Sequence, residues 1–156
     1  KGGVVMINYF PGYTDPDTAP AIRAWFARHG PEFAKLRETH KNDPRALSQA
    51  FRAAVAADPL PKGSLARLLD HFDHALRVAG EDHVGLGSDF DGVPSMPAEL
   101  EDVSGLPRLT RGLLERGWSE AVVRKVLGEN LLRVMREVER VRDRLSRAPA
   151  APPSPR

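Results

Sequence analysis

Residues 82–92 read DHVGLGSDFDG, and this stretch decides the fold. Its apolar run predicts a β-strand over residues 83–90, and the interleaved glycines permit close packing of the backbone. The strand ends in two acids, Asp89 and Asp91, which Gly92 follows. Because α/β folds place their active sites at the carboxyl ends of parallel strands, Asp89 is the main candidate for a catalytic residue.

These acids also have an ordinary interpretation. Asp89 and Asp91 can be turn formers that bond their own backbone next to Gly92, and spacing alone favours neither interpretation. A calcium-binding loop is excluded, because its third ligand position falls on Val93.

A second strand is predicted upstream, over residues 4–9 (VVMINY). Its continuous apolar run is typical of a parallel strand that is buried on both faces. Between the two strands, Ser64 caps an amphipathic helix that Gly80 ends. A strand, a helix and a strand in this order form a βαβ unit, so the predicted fold class is α/β.

The other predicted elements are mostly helical, and residues 10–13 are predicted to form a loop. We expect helices at residues 20–29 (capped by Asp17 or Thr18), around Phe33 and Leu36, at 44–57 (opened by Asp43 and Pro44), from Leu106 to Leu114, after Ser119, and from Leu131 to Leu145.

Composition limits what the chain does. Its 156 residues are 41% hydrophobic, which suffices for one domain with a core. The 23 basic and 21 acidic residues nearly cancel, so we expect no nucleic-acid partner. No cysteine is present, which excludes thiolate zinc sites. The apolar runs are far shorter than the roughly 20 residues of a membrane span, so none is expected.

The two ends of the sequence differ from its middle. The chain enters its first strand almost directly from Lys1, from which we expect a truncated protein. Residues 147–156 are rich in proline and alanine and have no apolar periodicity, so we expect them to be disordered. Residues 1–146 are therefore predicted to form the folded portion.

Residues 69–74 (LDHFDH) contain two histidines three positions apart on the predicted helix. His71 and His74, with Asp70 and Asp73 interleaved, could face a metal together. The apolar stripe of the helix lies on the other face, which favours polar residues that face solvent or bond neighbouring loops. We therefore assign no metal ligand in this chain.

Further candidates lie at the same sheet edge as Asp89. Asn8, Tyr9 and Tyr13 end or follow the first strand, so they either contact a substrate or, for the tyrosines, pack as aromatics. In the loop after Asp89 we interpret three further acids as loop acids and helix caps: Glu99, Glu101 and Asp102.

Three stretches together resemble the renal (membrane) dipeptidase family, zinc metallopeptidases of family M19: residues 69–74, residues 82–92 and residues 100–104 (LEDVS). Their order and spacing match the family, and the resemblance extends from Val4 to about Val138. It implies a (β/α)8 TIM barrel with two zinc ions, of which this chain is the C-terminal part, about strands seven and eight with covering helices. Two strands cannot close a barrel, so the barrel is expected to be incomplete.

The resemblance also implies residue roles. The family's acid at the end of strand eight falls on Asp89, where it holds the zinc-bridging water and moves its proton to the leaving amine. Tyr13 and the backbone at Gly92 would lie beside a dipeptide substrate. The family's metal ligands belong to earlier strands and none maps onto this chain, so the isolated chain is expected to be inactive. The complete enzyme is expected to be a homodimer.

Residues 24–63 are longer and more helical than the corresponding mammalian connection, which suggests a bacterial variant. Two other functions stay open: a homologue that has lost its metals, and a non-catalytic interaction module in which the Arg-rich helix at 131–145 binds an acidic partner. Glu137, Glu139 and Asp143 alternate with the arginines there, which is typical of a solvated helix face instead.

Overall fold

The computed structural model of the protein describes residues 2–147, which are mostly helical with a small parallel sheet. The elements in chain order are β1 (Val5–Asn8), α1 (Pro11–Thr14), α2 (Ala19–Thr39), α3 (Pro44–Ala57), α4 (Leu65–Ala79), β2 (Val84–Ser88), α5 (Leu106–Glu115), α6 (Glu120–Arg124) and α7 (Asn130–Arg147). Apart from its first residue, the predicted disordered tail lies outside the described residues. Within residues 2–147, no helix is long and apolar enough to cross a membrane.

The two strands pair in parallel, and the four helices α1 to α4 connect them. This arrangement confirms the predicted βαβ unit. Ile7 lies opposite Leu86 and Asn8 lies opposite Ser88, so Gly87 is an extra residue on β2. A Cβ atom at Gly87 would lie 2.7 Å from the carbonyl oxygen of Met6, so only glycine fits where the strands approach this closely.

The apolar residues form two cores. The first packs the strands against α4, α5 and α6, and its fully buried members include Tyr9, Leu68, Phe72, Val84, Leu100, Leu109 and Leu113. The second lies between α2, α3 and the loop before α4, and consists of Phe10, Ile22, Trp25, Phe33 and Leu60. The second core positions α3 beside the loop that follows β2.

Side-chain caps confirm three helix starts that the sequence predicts. Asp43 accepts from the Ala46 amide at 2.9 Å and begins α3. Ser64 accepts from the Arg67 amide at 3.2 Å and begins α4. Ser119 likewise caps α6. Such local bonds satisfy amides that have no partner inside the helix.

The prediction that the first strand is buried on both faces is wrong. Val5 is 55% exposed and Met6 is 39% exposed. Within residues 2–147, β2 is the only strand that pairs with β1, so one side of β1 has no neighbouring strand to cover it. The second strand is also shorter than predicted, because it ends at Ser88 and leaves Asp89 and Phe90 in the following turn.

Two predictions in the first connection are also wrong. Residues 10–13 do not form a loop, because Pro11 begins the short helix α1, in which the Tyr13 and Thr14 amides donate to the Phe10 carbonyl. The helix predicted to end near residue 29 continues to Thr39 as one helix, through Pro31. It continues because Trp25 and Phe33 pack in the same core on either side of the proline.

The cap of α2 differs from the prediction as well. Thr18 occupies the N-cap position but makes no side-chain cap bond. The buried Asp15 carboxylate instead accepts from the amides of Asp17 and Thr18, and from the Ser64 amide at 3.0 Å. These bonds lower the pKa of Asp15 although burial opposes them. Asp15 therefore joins the start of α2 to the start of α4.

Candidate functional site

The carboxyl ends of β1 and β2 bring Asn8 and Asp89 into contact. The Asn8 amide donates from Nδ2 to Asp89 Oδ2 at 2.9 Å, although the two residues lie 81 positions apart. Asn8 Oδ1 accepts from the Phe10 amide at 2.7 Å, which holds the side chain in place. Asn8 therefore orients one oxygen of the half-buried Asp89 carboxylate.

The backbone at this strand end has an uncommon conformation. Ser88 and Asp89 have φ angles of 40° and 75°, in the left-handed region that few residues other than glycine adopt. Two hydrogen bonds support them: the Tyr9 amide donates to the Ser88 carbonyl, and the Gly92 amide donates to the Asp89 carbonyl, both at 3.1 Å. Such conformations concentrate at functional sites, where neighbouring structure maintains them.

Gly92 lies directly against the Asp89 carboxylate. A Cβ atom at position 92 would overlap Asp89 Oδ1, so a side chain there would displace the carboxylate. Within residues 2–147, the protein provides no hydrogen-bond donor to Oδ1, whereas Oδ2 is held by Asn8. The site thus consists of a carboxylate with one oriented oxygen and one oxygen left for a ligand or water.

The two tyrosines have different environments. Tyr9 is completely buried, and its ring packs edge-on against Phe90 with centroids 5.7 Å apart. Burial raises the pKa of Tyr9 well above its ordinary value. Tyr13 is 71% exposed and lines a cavity with Arg67 and His71, whereas Gly92 lines a different one. The structure thus brings Asn8 and Gly92 to Asp89 and leaves the substrate role of Tyr13 a prediction.

The acids beside His71 and His74 have partners in the protein. Arg116 donates to Asp70 at 2.7 Å and to Asp73 at 2.6 Å, and Trp118 Nε1 donates to the other Asp73 oxygen at 2.7 Å. His71 and His74 are exposed. Throughout residues 2–147, no three histidine, aspartate or glutamate side chains lie close enough to hold a metal ion. The described residues therefore do not fit a zinc centre.

The loop acids make structural contacts, as predicted. Glu101 pairs with Lys62 at 2.9 Å, and Asp102 accepts from the Ser104 amide at 2.8 Å at the start of a short 3₁₀ turn. Both contacts lower the pKa of the carboxylate concerned. Glu99 contributes only its carbonyl, which accepts from Arg108.

Sequence reasoning missed the role of Asn8. We named it as a possible substrate contact, whereas its side chain holds Asp89. The contact could have been inferred from the position of Asn8 at the end of a strand predicted to be parallel to β2. The carboxyl ends of neighbouring parallel strands meet at one sheet edge.

The sequence profile of the membrane dipeptidase family (peptidase family M19) matches residues 1–149. The chain belongs to the membrane dipeptidase family. The match includes both strands and the Asp89 turn, as the three sequence stretches indicate.

Two solved structures resemble this M19 family member. Dipeptidase AC, a metallopeptidase of family M19, is 41% identical over 45% of this chain and 20% of its own, with a TM-score of 0.42. The probable dipeptidase PvdM from Pseudomonas aeruginosa is 29% identical over 85% of this chain and 36% of its own, with a TM-score of 0.57. The chain thus spans only part of the length of either protein.

Proposed function

We propose that this chain is the part of a zinc-dependent dipeptidase that carries the catalytic carboxylate, and that β1 and β2 are the last two strands of its (β/α)8 barrel. The single observation that carries the proposal is the Asn8–Asp89 contact at the carboxyl ends of two parallel strands, in a member of the M19 family. Within residues 2–147 one edge of β1 has no paired strand, which supports the proposal because a closed barrel would place another strand there.

In this proposal Asp89 moves a proton during hydrolysis of a dipeptide. Its oxygen Oδ1 accepts the proton of the attacking water, and the same oxygen then gives it to the nitrogen of the leaving amine. Asn8 keeps the carboxylate in one orientation through Oδ2. Gly92 leaves space beside Oδ1, and the Gly92 backbone and Tyr13 contact the substrate.

The metal ions must be held by residues outside these 156. Zinc ions in such a site would lower the pKa of water, so that it loses a proton more easily and becomes a better nucleophile toward a peptide carbonyl at neutral pH. Because residues 2–147 contain no suitable ligand group, the isolated chain is expected to be inactive. We propose that the complete enzyme is a homodimer, as the family resemblance implies.

The test is Asp89→Asn in the complete polypeptide that contains this chain. Asparagine tolerates the left-handed conformation as aspartate does, so the backbone is not strained further. Without a group that moves the proton, kcat should fall about 10²- to 10⁴-fold. Dipeptide hydrolysis and bound zinc are measured together, and zinc content should not change.

The matched control is Asp143→Asn on the exposed face of α7, which should keep wild-type turnover. Full activity of Asp89→Asn would remove the role of Asp89. Purified wild-type protein that binds no zinc and hydrolyses no dipeptide would instead favour a homologue that has lost its metals.

The other alternative, a non-catalytic module that binds an acidic partner through α7, finds less support. Arg140 pairs with Glu137, and Arg142 pairs with Asp143 at 2.8 Å. Acids on the same helix thus neutralise part of its positive charge, as the alternating sequence predicts.

A further inference from the structure

A groove of about 500 Å³ lies between α3 and the turn that follows Asp89. Its volume is within the usual range for small-molecule sites. One wall comes from α3, which lies within residues 24–63, a segment for which the sequence suggested no role. The apolar residues that line the groove are Phe51, Val55 and Ala56 from α3 and Phe90, Val93 and Pro94 from the turn.

The groove adjoins the candidate catalytic group through one residue. Gly92 lines the groove and also lies against Asp89 Oδ1, the oxygen without a protein donor. Asp89 itself does not line the groove, so Gly92 is the residue through which the groove adjoins the carboxylate. The groove is thus adjacent to the reacting position, not a remote surface feature.

The chemistry of the lining indicates the kind of ligand. Phe51 and Val55 lie four positions apart, hence on one face of α3, and α3 has no fully buried residue. Part of its apolar face therefore borders the groove. Arg52 and Asp91 add one positive and one negative charge to the lining, which complements a ligand that carries one charge of each sign. A dipeptide with free termini is such a ligand.

We infer that this groove accepts an apolar side chain of the dipeptide substrate, and that the α3 wall sets the size of side chain that fits. The inference rests on the proposed function and adds a specificity-determining element to it. Ala56 is the position where this can be tested, because it is exposed, small, and lines the groove without belonging to either core.

The experiment is Ala56→Trp in the complete polypeptide, with Ala53→Trp as the matched control. Ala53 is an exposed alanine on the same helix that does not line the groove, so both variants have the same cost in helix propensity. For each protein, kcat/KM is measured with dipeptides that carry leucine or phenylalanine and with glycylglycine.

An indole at position 56 should fill the groove and lower kcat/KM for the bulky dipeptides about ten-fold or more, while glycylglycine hydrolysis stays within about two-fold of wild type. Ala53→Trp should match wild type on every substrate. Equal effects of the two variants, or an equal loss on all substrates, would overturn the inference while the dipeptidase activity stands. Wild-type protein inactive on every dipeptide would instead overturn the proposed function, and the inference with it.

A second pair of variants covers the case in which the tryptophan prevents folding. Leucine is a good helix former, so Ala56→Leu and Ala53→Leu should both fold. Ala56→Leu should also lower kcat/KM for the bulky dipeptides relative to glycylglycine, by a smaller factor than Ala56→Trp. Ala53→Leu should leave this ratio unchanged. Identical profiles for this pair would also contradict the inference.

Discussion

Asp89 and Asp73 both lie in stretches that resemble the dipeptidase family, yet their surroundings are opposite. Asp73 is 8% exposed, and both of its oxygens accept hydrogen bonds, one from Arg116 and one from Trp118. Asp89 has one side-chain donor, Asn8, and its second oxygen lies beside Gly92, which also lines a groove.

Acids that look alike in the sequence can therefore have different numbers of hydrogen-bond donors in the structure. A carboxylate whose oxygens all have protein donors stabilises the fold, since burial is offset by its partners. A carboxylate with one fixed oxygen and one open oxygen is oriented but still able to bind water or substrate. The stretches that resemble the family therefore contain one acid, Asp73, whose two oxygens both have protein donors, and one, Asp89, that has a protein donor at a single oxygen.

The largest effect on stability is expected for Asp73→Ala. It removes one of the two carboxylate partners of Arg116, whose side chain is 26% exposed, and leaves the Trp118 indole without its acceptor. The free energy of unfolding should fall by about 2 kcal/mol, because the Trp118 indole loses its acceptor and Arg116 keeps only the more exposed of its two carboxylate partners. Urea denaturation measures the change.

The matched control for this variant is Asp70→Ala. Asp70 contacts the same arginine, but its side chain is 51% exposed, so its removal should cost less than about 1 kcal/mol. Equal losses for the two variants would mean that burial does not separate these acids.

A smaller effect on stability is expected for Asn8→Ala, which removes the side-chain donor to Asp89. The loss of this hydrogen bond to Asp89 Oδ2 should cost about 1 kcal/mol. In the complete enzyme, kcat should fall roughly ten-fold with little change in KM, because the carboxylate loses its orientation while substrate contacts remain.

Asn130→Ala is the control for this prediction. Asn130 also donates from its side-chain amide, but to the carbonyls of Glu81 and Val84, away from Asp89. Its loss should lower stability and leave kcat unchanged. If the two asparagine variants changed kcat equally, Asn8 would not be a positioning residue.

The smallest effect is expected at a third acid, Asp58, which pairs with His29 at 2.8 Å and with Arg28 at 2.7 Å. His29 also stacks on Trp25 and contacts Glu32. Its hydrogen bonds to Asp58 and Glu32 raise the pKa of His29, and the bonds from His29 and Arg28 lower the pKa of Asp58.

The stability that charged His29 contributes is fully present below its ordinary pKa of about 6.5 and is lost as the pH rises through the raised value. The contribution of Asp58 is present above its ordinary pKa of about 3.9 and is lost in acid. The thermal midpoint should therefore fall slightly as the pH rises from about 6.5 through the raised pKa of His29. His29→Gln should reduce this slope, and an unchanged slope would show that His29 is not its source.

Local features of the sequence predicted much of the fold. Asp43, Ser64 and Ser119 cap the helices that they were expected to begin, and Gly80 follows the end of α4. The predictions that failed concern elements whose ends depend on distant packing. Pro31 does not end α2, because aromatic residues before and after it pack in one core.

The candidate site was only partly predictable. The sequence alone placed Asp89 at the end of a strand, and together with the family resemblance it identified a dipeptidase relative, because strand patterns and family motifs are carried by residues close together in the chain. The partner of Asp89 could not be predicted from the sequence, because Asn8 lies 81 positions away and contacts Asp89 only when the two strands pair.

The sequence by itself therefore determined the family, the βαβ order, the helix caps and the identity of the main candidate acid. Only the tertiary structure decided which acids have hydrogen-bond donors for both oxygens, which oxygen of Asp89 is held, and that α3 lines a groove with the turn that follows Asp89. The physical reason is that hydrogen-bond partners and burial arise from contacts between distant segments, whereas caps and periodicity depend on neighbours within a few residues.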